Sequence, residues 1–450
     1  MPFKKFDLKI HSKIKPFKKV INIDPDKSLS IRCFLISAIS QNISIIINAL
    51  ESDDVKSTIN ACRKLGIKII KIKKGKYKVF GKGLGSFKSK KNTSINLGNS
   101  GTLARLLIGI LSTTPNIKLK LTGDHSLNKR SMKKLIDLMN KFGAKFLPKN
   151  KIKFPLKIIS SEMSTGINYT SGVSAQLKSA VILAGLNSYG KTIIEEKIIS
   201  RDHTENLLLD NSNSIKTKQK NNLKIIEVTG KRSLSPINFT IPGDPSSAAF
   251  FTALTLMNKN SILKIKNVGL NKTRTGFYEI LKSQKAKIKF VNLKKKNSEI
   301  FGDIIIKSSK LKPFSVSEKF YSRTTDEYLI LFVLAGLVEG VSTFKGISDL
   351  ANKESSRAFE MAKILKQVGI KSSLKKNEIK IYGKGLFDAG KKRIKVANLG
   401  DHRIAMCTFV LATLLNVKAY VKNFETVFTS SPSFLKIMKS LGATFETFKK

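Results

Sequence analysis

The 450-residue chain has no tryptophan, 3 cysteines, 4 histidines, and 31 acidic residues against 83 lysines and arginines. Each shortage excludes something. Cys33, Cys62 and Cys407 are odd in number, far apart and set in apolar stretches that read as helix. Buried reduced thiols are therefore expected, not disulfides or a metal centre. His11, His125, His203 and His402 are isolated, and no HxxxH, HExxH or CxxC spacing occurs. No metal site is expected, and His203 and His402 read as loop or capping hydrogen-bonders. No apolar run reaches the roughly 18 residues needed to span a bilayer. The opening "MPFKKFDLKIHSKIK" also lacks an apolar signal core, so a cytoplasmic protein with no membrane association is expected.

The scarcity of acids leaves a net charge of +52. A basic surface on that scale is what a nucleic-acid binder needs to neutralise phosphates, which makes such a protein one alternative. The distribution argues against it. Lysines run along the whole chain, and no RNP, zinc-finger or basic-zipper pattern appears. Joint abundance of Lys, Ile and Asn points to a biased genome, so no specific nucleic-acid partner is expected. The phosphate-binding GxxxxGK[ST] loop is absent as well.

What is present is repetition. "VFGKGLG" at 79–85 returns as "IYGKGLF" at 381–387, and "NLGNSGTLARLL" at 96–107 returns as "NLGDHRIAMCTF" at 398–409, both 302 residues on. A second signature is an amphipathic helix ending in a tight turn and a strand: "CRKLGIKII", "MNKFGAKFL", "LKSQKAKIKF", "LKQVGIKSS" and "MKSLGATFE". Four of these carry a glycine, Gly66, Gly143, Gly369 or Gly442, where a left-handed helix end favours it. Between them lie long apolar helices opening at Lys27, Asn99, Ser174, Asp244, Asp326 and Asp401, spaced 70 to 82 residues apart. Six copies of one unit of about 75 residues, each a strand, buried helix, strand, amphipathic helix and strand, account for almost the whole chain.

A helix apolar nearly all round must be enclosed, and strands alternating Ile or Val with Lys fit sheets with one wet face. The fold class is therefore α/β (α+β): two domains of three units each, with buried helices and outer sheets. The domains are expected at 23–240 and at 1–22 plus 241–450, with "TIPGDP" at 240–245 as the crossover and the segment before Lys27 completing the last unit. The stretch "NLLLDNSNSIKTKQKN" at 206–221 has lost its turn glycine, so the third unit is expected to be irregular there.

Every buried helix opens through a loop of Gly, Ser, Thr, Asn or Asp. Free backbone N–H groups and the helix dipole make such ends anion sites. Ordinary capping explains the oxygens, but it does not explain the basic residues at the same ends: Lys27, Arg32, Arg105, Lys178 and Arg403. Gathered together they would form a basic cleft suited to a small, multiply anionic molecule.

The motifs "DKSLSIR", "LGNSGTLARLL", "GDHSLNKRSM", "SGVSAQLKSAVILAGL", "SRDHTENL", "PGDPSSAAF", "TDEYLILFVLAGLVEG", "NKESSRAFEMAKILKQVG" and "GDHRIAMCTFVLATL" resemble those of the 5-enolpyruvylshikimate-3-phosphate synthase family, in that family's order. The resemblance implies two domains of three βαβαββ units with parallel buried helices, and an active site in the interdomain cleft. It implies transfer of the enolpyruvyl group of phosphoenolpyruvate to the 5-hydroxyl of shikimate 3-phosphate, by addition and then elimination of phosphate, in a monomer without metal or cofactor. By position, Lys27 would contact both substrates and move a proton. Ser28, Arg32, Ser174, Gln176 and Lys353 would hold shikimate 3-phosphate, with Arg201 near its ring. Asp326 would be the base at the 5-hydroxyl, and Glu354 would work at the methylene carbon. Asn99, Gly101, Arg130, Gln176, Arg357 and Arg403 would bind phosphoenolpyruvate, which the herbicide glyphosate would displace, and Asp244 would line the site. The chain departs from the family pattern at Pro25, Ser131 and Ser356. Ser356 replaces an Asp beside Arg357, so Arg357 is expected to be short of one carboxylate. The sister reaction on UDP-N-acetylglucosamine is the enzyme alternative. That family places a reactive cysteine on a mobile loop, and none of the three cysteines here sits in one.

Overall fold

The computed structural model describes residues 5–11, 13–221, 223–296 and 298–449. Within them the chain forms six four-stranded sheets. It divides into two compact units: Pro25–Ile241 with Lys295–Glu299, and Pro242–Lys294 with Ile300–Lys450 and the segment up to Asp24. The expected bounds, 23–240 and 1–22 plus 241–450, place residues 295–299 with the second domain.

Each sheet repeats one arrangement. In the second, Ser94–Asn96 lies parallel to Lys118–Thr122, which pairs antiparallel with Leu156–Ile159, and that in turn with Lys145–Leu147. The parallel pair is joined through the buried helix Gly101–Thr113 and the hairpin follows the amphipathic helix Lys133–Lys141, a βαβαββ unit. One strand per unit beyond the sequence count is thus present. The strand pattern explains its orientation: in Lys118–Thr122, Leu119 and Leu121 are buried while Lys118 and Lys120 are exposed.

Two strands change places between units. Asn238–Thr240 precedes the helix Pro245–Met257 in sequence but pairs parallel with Gln41–Ile47, so it supplies the missing first strand of the first sheet. Lys18–Asn22 precedes the helix Lys27–Ile39 yet pairs with Ile262–Gly269. The amino-terminal segment therefore serves two sheets: Phe6–Ile10 completes the last, between Lys418–Val421 and Phe445–Lys449, and Lys18–Asn22 joins the fourth. The expectation that the whole segment completes the last unit holds only for its first strand.

The buried helices are Lys27–Ile39, Gly101–Thr113 and Ala175–Leu186 in one unit and Pro245–Met257, Tyr328–Gly336 and His402–Leu415 in the other. All thirteen residues of Pro245–Met257 are buried, as an all-round apolar pattern requires. Each unit has its own core. Gly109 lets two of these helices approach closely: a Cβ there would lie 2.5 Å from the Ala180 carbonyl oxygen.

The amphipathic helices finish alike. The amides of Gly66, Gly143, Gly369 and Gly442, all at positive φ, return to the carbonyls three residues back, and the following amides bond five residues back. Lys285 does the same at φ +57, with its amide 2.9 Å from Lys282 O and that of Ala286 3.1 Å from Leu281 O. A lysine therefore occupies the left-handed site that the other four units give to glycine. The third unit is not irregular: His203–Leu209 is helical and Ile215–Lys220 pairs in regular register with Leu223–Thr229. The turn between them closes with Asn211 N on Leu208 O, and no glycine is needed. All three cysteines are free and buried, and burial pushes their thiols up.

Candidate active site

Three of the helix openings read from the sequence, Ser174, Asp244 and Asp401, are the caps themselves, and Lys27 and Asn99 each lie one residue from a cap. Asp26, Ser100, Ser174, Asp244 and Asp401 cap their helices by accepting amides in the first turn. Asp326 is different. The chain turns through a short helix at Tyr321–Thr324, and Tyr328–Gly336 starts only after Glu327, so Asp326 lies two residues before that helix.

In the Pro25–Ile241 unit two of the three starts, those of Gly101–Thr113 and Ala175–Leu186, are tied to each other. Lys27 Nζ lies 3.1 Å from Asp54 Oδ2 on the neighbouring helix. Arg105 Nη1 donates to the Gly101 carbonyl at 3.0 Å and to Gln176 Oε1 at 2.8 Å, and Gln176 Nε2 donates to Thr102 Oγ1 at 3.0 Å. Arg130 Nη2 donates to Asn99 Oδ1 at 2.5 Å and to Ser126 Oγ at 3.3 Å. Both guanidiniums converge on one glycine: a Cβ on Gly101 would meet Arg105 Nη1 at 2.8 Å and Arg130 Nη1 at 3.0 Å. These contacts bring Asn99, Gly101, Arg105, Arg130 and Gln176 together with Thr102. Ser28 contributes its carbonyl oxygen to Arg32, and Arg201 is half-buried beside the start of His203–Leu209.

Two basic residues read as lining an open cleft are buried instead. Lys178 is fully enclosed, its Nζ 2.8 Å from Glu196 Oε1 and 2.7 Å from Glu205 Oε1, and both glutamates are buried too. Burial opposes its charge, but Glu205 and Glu196 outweigh that and hold its pKa above the ordinary value. Arg32 is 3 % exposed, with Nε on Thr204 Oγ1 at 2.9 Å and Nη2 on Ser179 Oγ at 3.3 Å. The warning was a single charge in an otherwise apolar helix, which needs an internal partner. His203 is likewise no loop or cap group: its Nδ1 lies 2.7 Å from Glu299 Oε1, both buried.

The other unit gathers carboxylates. Arg357, 2 % exposed, has Nη2 2.6 Å from Glu354 Oε2, Nε 3.0 Å from Asp401 Oδ2 and Nη1 3.5 Å from Asp326 Oδ1. Burial works against this cation, yet Asp401, Glu354 and Asp326 outweigh it and raise its pKa. Ser356 offers no carboxylate here, and Asp401, Glu354 and Asp326 are the ones that surround Arg357. Lys353 stands apart on Asp349, 2.6 Å away. Asp244 is buried with Arg274, whose Nη2 lies 3.3 Å from Asp244 Oδ1 and 2.8 Å from Ser246 Oγ; the Ser246 hydroxyl donates to Glu327. Arg274 and Glu327 escaped the sequence reading, since nothing in "NKTRTGF" or "TDEYL" marks a charge as buried.

Arg403 contrasts with these. It begins the helix His402–Leu415, is 4 % exposed, and its Cζ lies 5.7 Å from the centre of the Phe250 ring. Its Nε and Nη1 have no hydrogen-bond partner among the described residues. Buried guanidinium donors in that condition, beside a helix N-terminus, are suited to an anion.

The sequence profile of EPSP synthase (3-phosphoshikimate 1-carboxyvinyltransferase) matches residues 11–438. The 3-phosphoshikimate 1-carboxyvinyltransferase of Zymomonas mobilis is 35 % identical over 441 residues, covering 97 % of both chains. The solved EPSP synthase of Acinetobacter baumannii superposes with a TM-score of 0.85 at 32 % identity, over 99 % of this chain and all of that one. The enolpyruvyl transferase NikO of Streptomyces tendae shares the fold at 13 % identity, with a TM-score of 0.77 over 99 % of this chain and all of that one. A family match over residues 11–438, with 35 % identity to a relative across 97 % of both chains, leaves one assignment: this chain belongs to the EPSP synthase family.

Proposed function

We infer that the chain, as a cytoplasmic monomer, transfers the enolpyruvyl group of phosphoenolpyruvate to the 5-hydroxyl of shikimate 3-phosphate and releases phosphate. Family membership over the whole length supports the reaction, and no described helix is long and apolar enough to cross a membrane. The observation that carries the reading at the site is Arg403, a buried cation with two unpartnered donors. Phosphoenolpyruvate supplies both a phosphate and a carboxylate, and charge-assisted bonds to either would satisfy those donors.

Addition requires a proton on the methylene carbon of the donor while the 5-hydroxyl oxygen attacks its neighbour, followed by loss of a methyl proton as phosphate departs. We assign the hydroxyl proton to Asp326, whose carboxylate is partly exposed and restrained by Arg357. Glu354, on the same guanidinium, and Lys27 are the groups for the methylene carbon. Gly101, Asn99, Arg130, Arg357 and Arg403 take the donor, with Gln176 contacting both substrates. Ser28, Arg32, Ser174, Arg201 and Lys353 take shikimate 3-phosphate. The arginine pair on Gly101 supports this division, because an anion at that helix start would meet two guanidiniums and the first-turn amides together. The sister reaction on UDP-N-acetylglucosamine is disfavoured by the three buried thiols.

The test is a titration of each substrate with wild type and Arg403→Met. The Michaelis constant for phosphoenolpyruvate should rise roughly tenfold or more, as loss of charged hydrogen bonds requires, with that for shikimate 3-phosphate little changed. An unaltered phosphoenolpyruvate constant contradicts the assignment.

A further inference from the structure

Three elements of the Pro25–Ile241 unit meet on the side chain of Arg32. Its Nη1 donates to its own helix at Ser28 O, 3.1 Å away. Its Nε donates to Thr204 Oγ1 on the helix His203–Leu209 at 2.9 Å, and its Nη2 to Ser179 Oγ on the helix Ala175–Leu186 at 3.3 Å. Nε and Nη2 form one edge of the planar guanidinium, so two hydroxyls on that edge set the plane of the group and the direction of its Nη1/Nη2 edge.

The two hydroxyls are themselves fixed. Ser179 Oγ and Thr204 Oγ1 lie 2.8 Å apart and both residues are fully buried. Since each accepts from Arg32, one donates to the other, which leaves little freedom to rotate. Thr204 is also clamped on both sides along the chain. Its neighbour Glu205 is bound to Lys178, the neighbour of Ser179, at 2.7 Å, and its other neighbour His203 is bound to Glu299 at 2.7 Å. Consecutive residues Lys178 and Ser179 thus engage consecutive residues Glu205 and Thr204, an ion pair next to a hydroxyl pair.

We propose that Thr204, paired with Ser179, is a positioning residue for shikimate 3-phosphate: it orients the Arg32 guanidinium without touching the substrate. This rests on the reading above that Arg32 holds that substrate. Long cations lose conformational freedom when they bind, and a guanidinium already fixed by protein hydroxyls has less to lose on meeting a phosphate or carboxylate.

Thr204→Val keeps the shape of the side chain and removes the acceptor. The Michaelis constant for shikimate 3-phosphate should rise roughly tenfold, as expected for a lost bond to a charged group, while that for phosphoenolpyruvate stays within about twofold. Thr204→Ser should restore the wild-type value. In an Arg32→Ala background Thr204→Val should add almost nothing, because the two act through one contact. Equal rises in both constants, or failure of Thr204→Ser to rescue, would reduce Thr204 to a structural residue and overturn the proposal. If Thr204→Val is not recovered folded, Ser179→Ala removes the partner hydroxyl and must show the same selective rise. Should Arg32→Ala raise the shikimate 3-phosphate constant while Thr204→Val and Ser179→Ala leave it unchanged, positioning is refuted and the functional reading stands. Should Arg32→Ala itself have no effect, the reading of Arg32 fails first.

Discussion

Lys178→Met removes one ammonium and leaves two buried carboxylates. In the native chain Nζ sits between Glu196 Oε1 at 2.8 Å and Glu205 Oε1 at 2.7 Å, with all three side chains at most 1 % exposed. Removing one partner of a buried pair costs about 3–5 kcal/mol, because an uncompensated charge remains. Two features offset part of this: Glu196 Oε1 still accepts the Ser200 amide and hydroxyl at 2.8 and 2.6 Å, and Lys224 Nζ is 3.9 Å from Glu205 Oε1. A loss of ~4 kcal/mol is therefore expected, which for a unit of this size lowers the melting temperature by about 10 °C. Differential scanning calorimetry reads it directly. The pH dependence has a definite sign. Lys178 has a raised pKa when folded, so its contribution is complete below its ordinary value of 10.5 and is lost as pH rises through the folded value. The variant lacks this contribution, so its deficit should hold steady below pH 10.5 and shrink only above it. Adding Glu205→Gln should recover more than half of it. A single variant within about 1 kcal/mol of wild type would refute the argument that this cluster is dry and charged.

Two further outcomes follow from backbone geometry. Lys285→Gly should stabilise by about 1 kcal/mol in urea unfolding, because the residue stands at φ +57 in a helix end that elsewhere uses glycine; a destabilised variant would contradict the strain. Gly101→Ala should leave the melting temperature nearly unchanged but raise the Michaelis constant for phosphoenolpyruvate about tenfold. The new methyl would press on two guanidinium ends 2.8 and 3.0 Å away, and small displacements at a reacting centre are costly. Glyphosate should compete with phosphoenolpyruvate in the wild type, and non-competitive behaviour would count against the placement of the donor beside Gly101. Asp326→Ala and Lys27→Ala should each abolish turnover with the calorimetric transition intact; near-wild-type rates would remove that residue from the chemistry.

The repeats made the architecture legible, because six apolar helices and five helix-end turns recur at nearly fixed intervals and each carries its own physical reason. Strand exchange was not legible. "KKVIN" and "NFT" look like the first strands of the helices they precede, and pairing partners some 200 residues distant leave no local trace. Lys285 shows the limit of reading a turn by its glycine alone, since the hydrogen bonds at the helix end impose the conformation on a lysine. At the site, residue types in matched motifs located the arginines and carboxylates. What spacing does not reveal is which charges are consumed internally: Lys178 resembled Arg403 in sequence, and only partner geometry separates a lysine closed between Glu196 and Glu205 from a guanidinium with donors to offer.

Phosphate release from phosphoenolpyruvate by the purified chain, followed with and without shikimate 3-phosphate, tests the central claim most directly. Release that is strictly dependent on shikimate 3-phosphate, and one-to-one with its consumption, is the predicted result. Release supported by UDP-N-acetylglucosamine instead, or none with either acceptor, would contradict it.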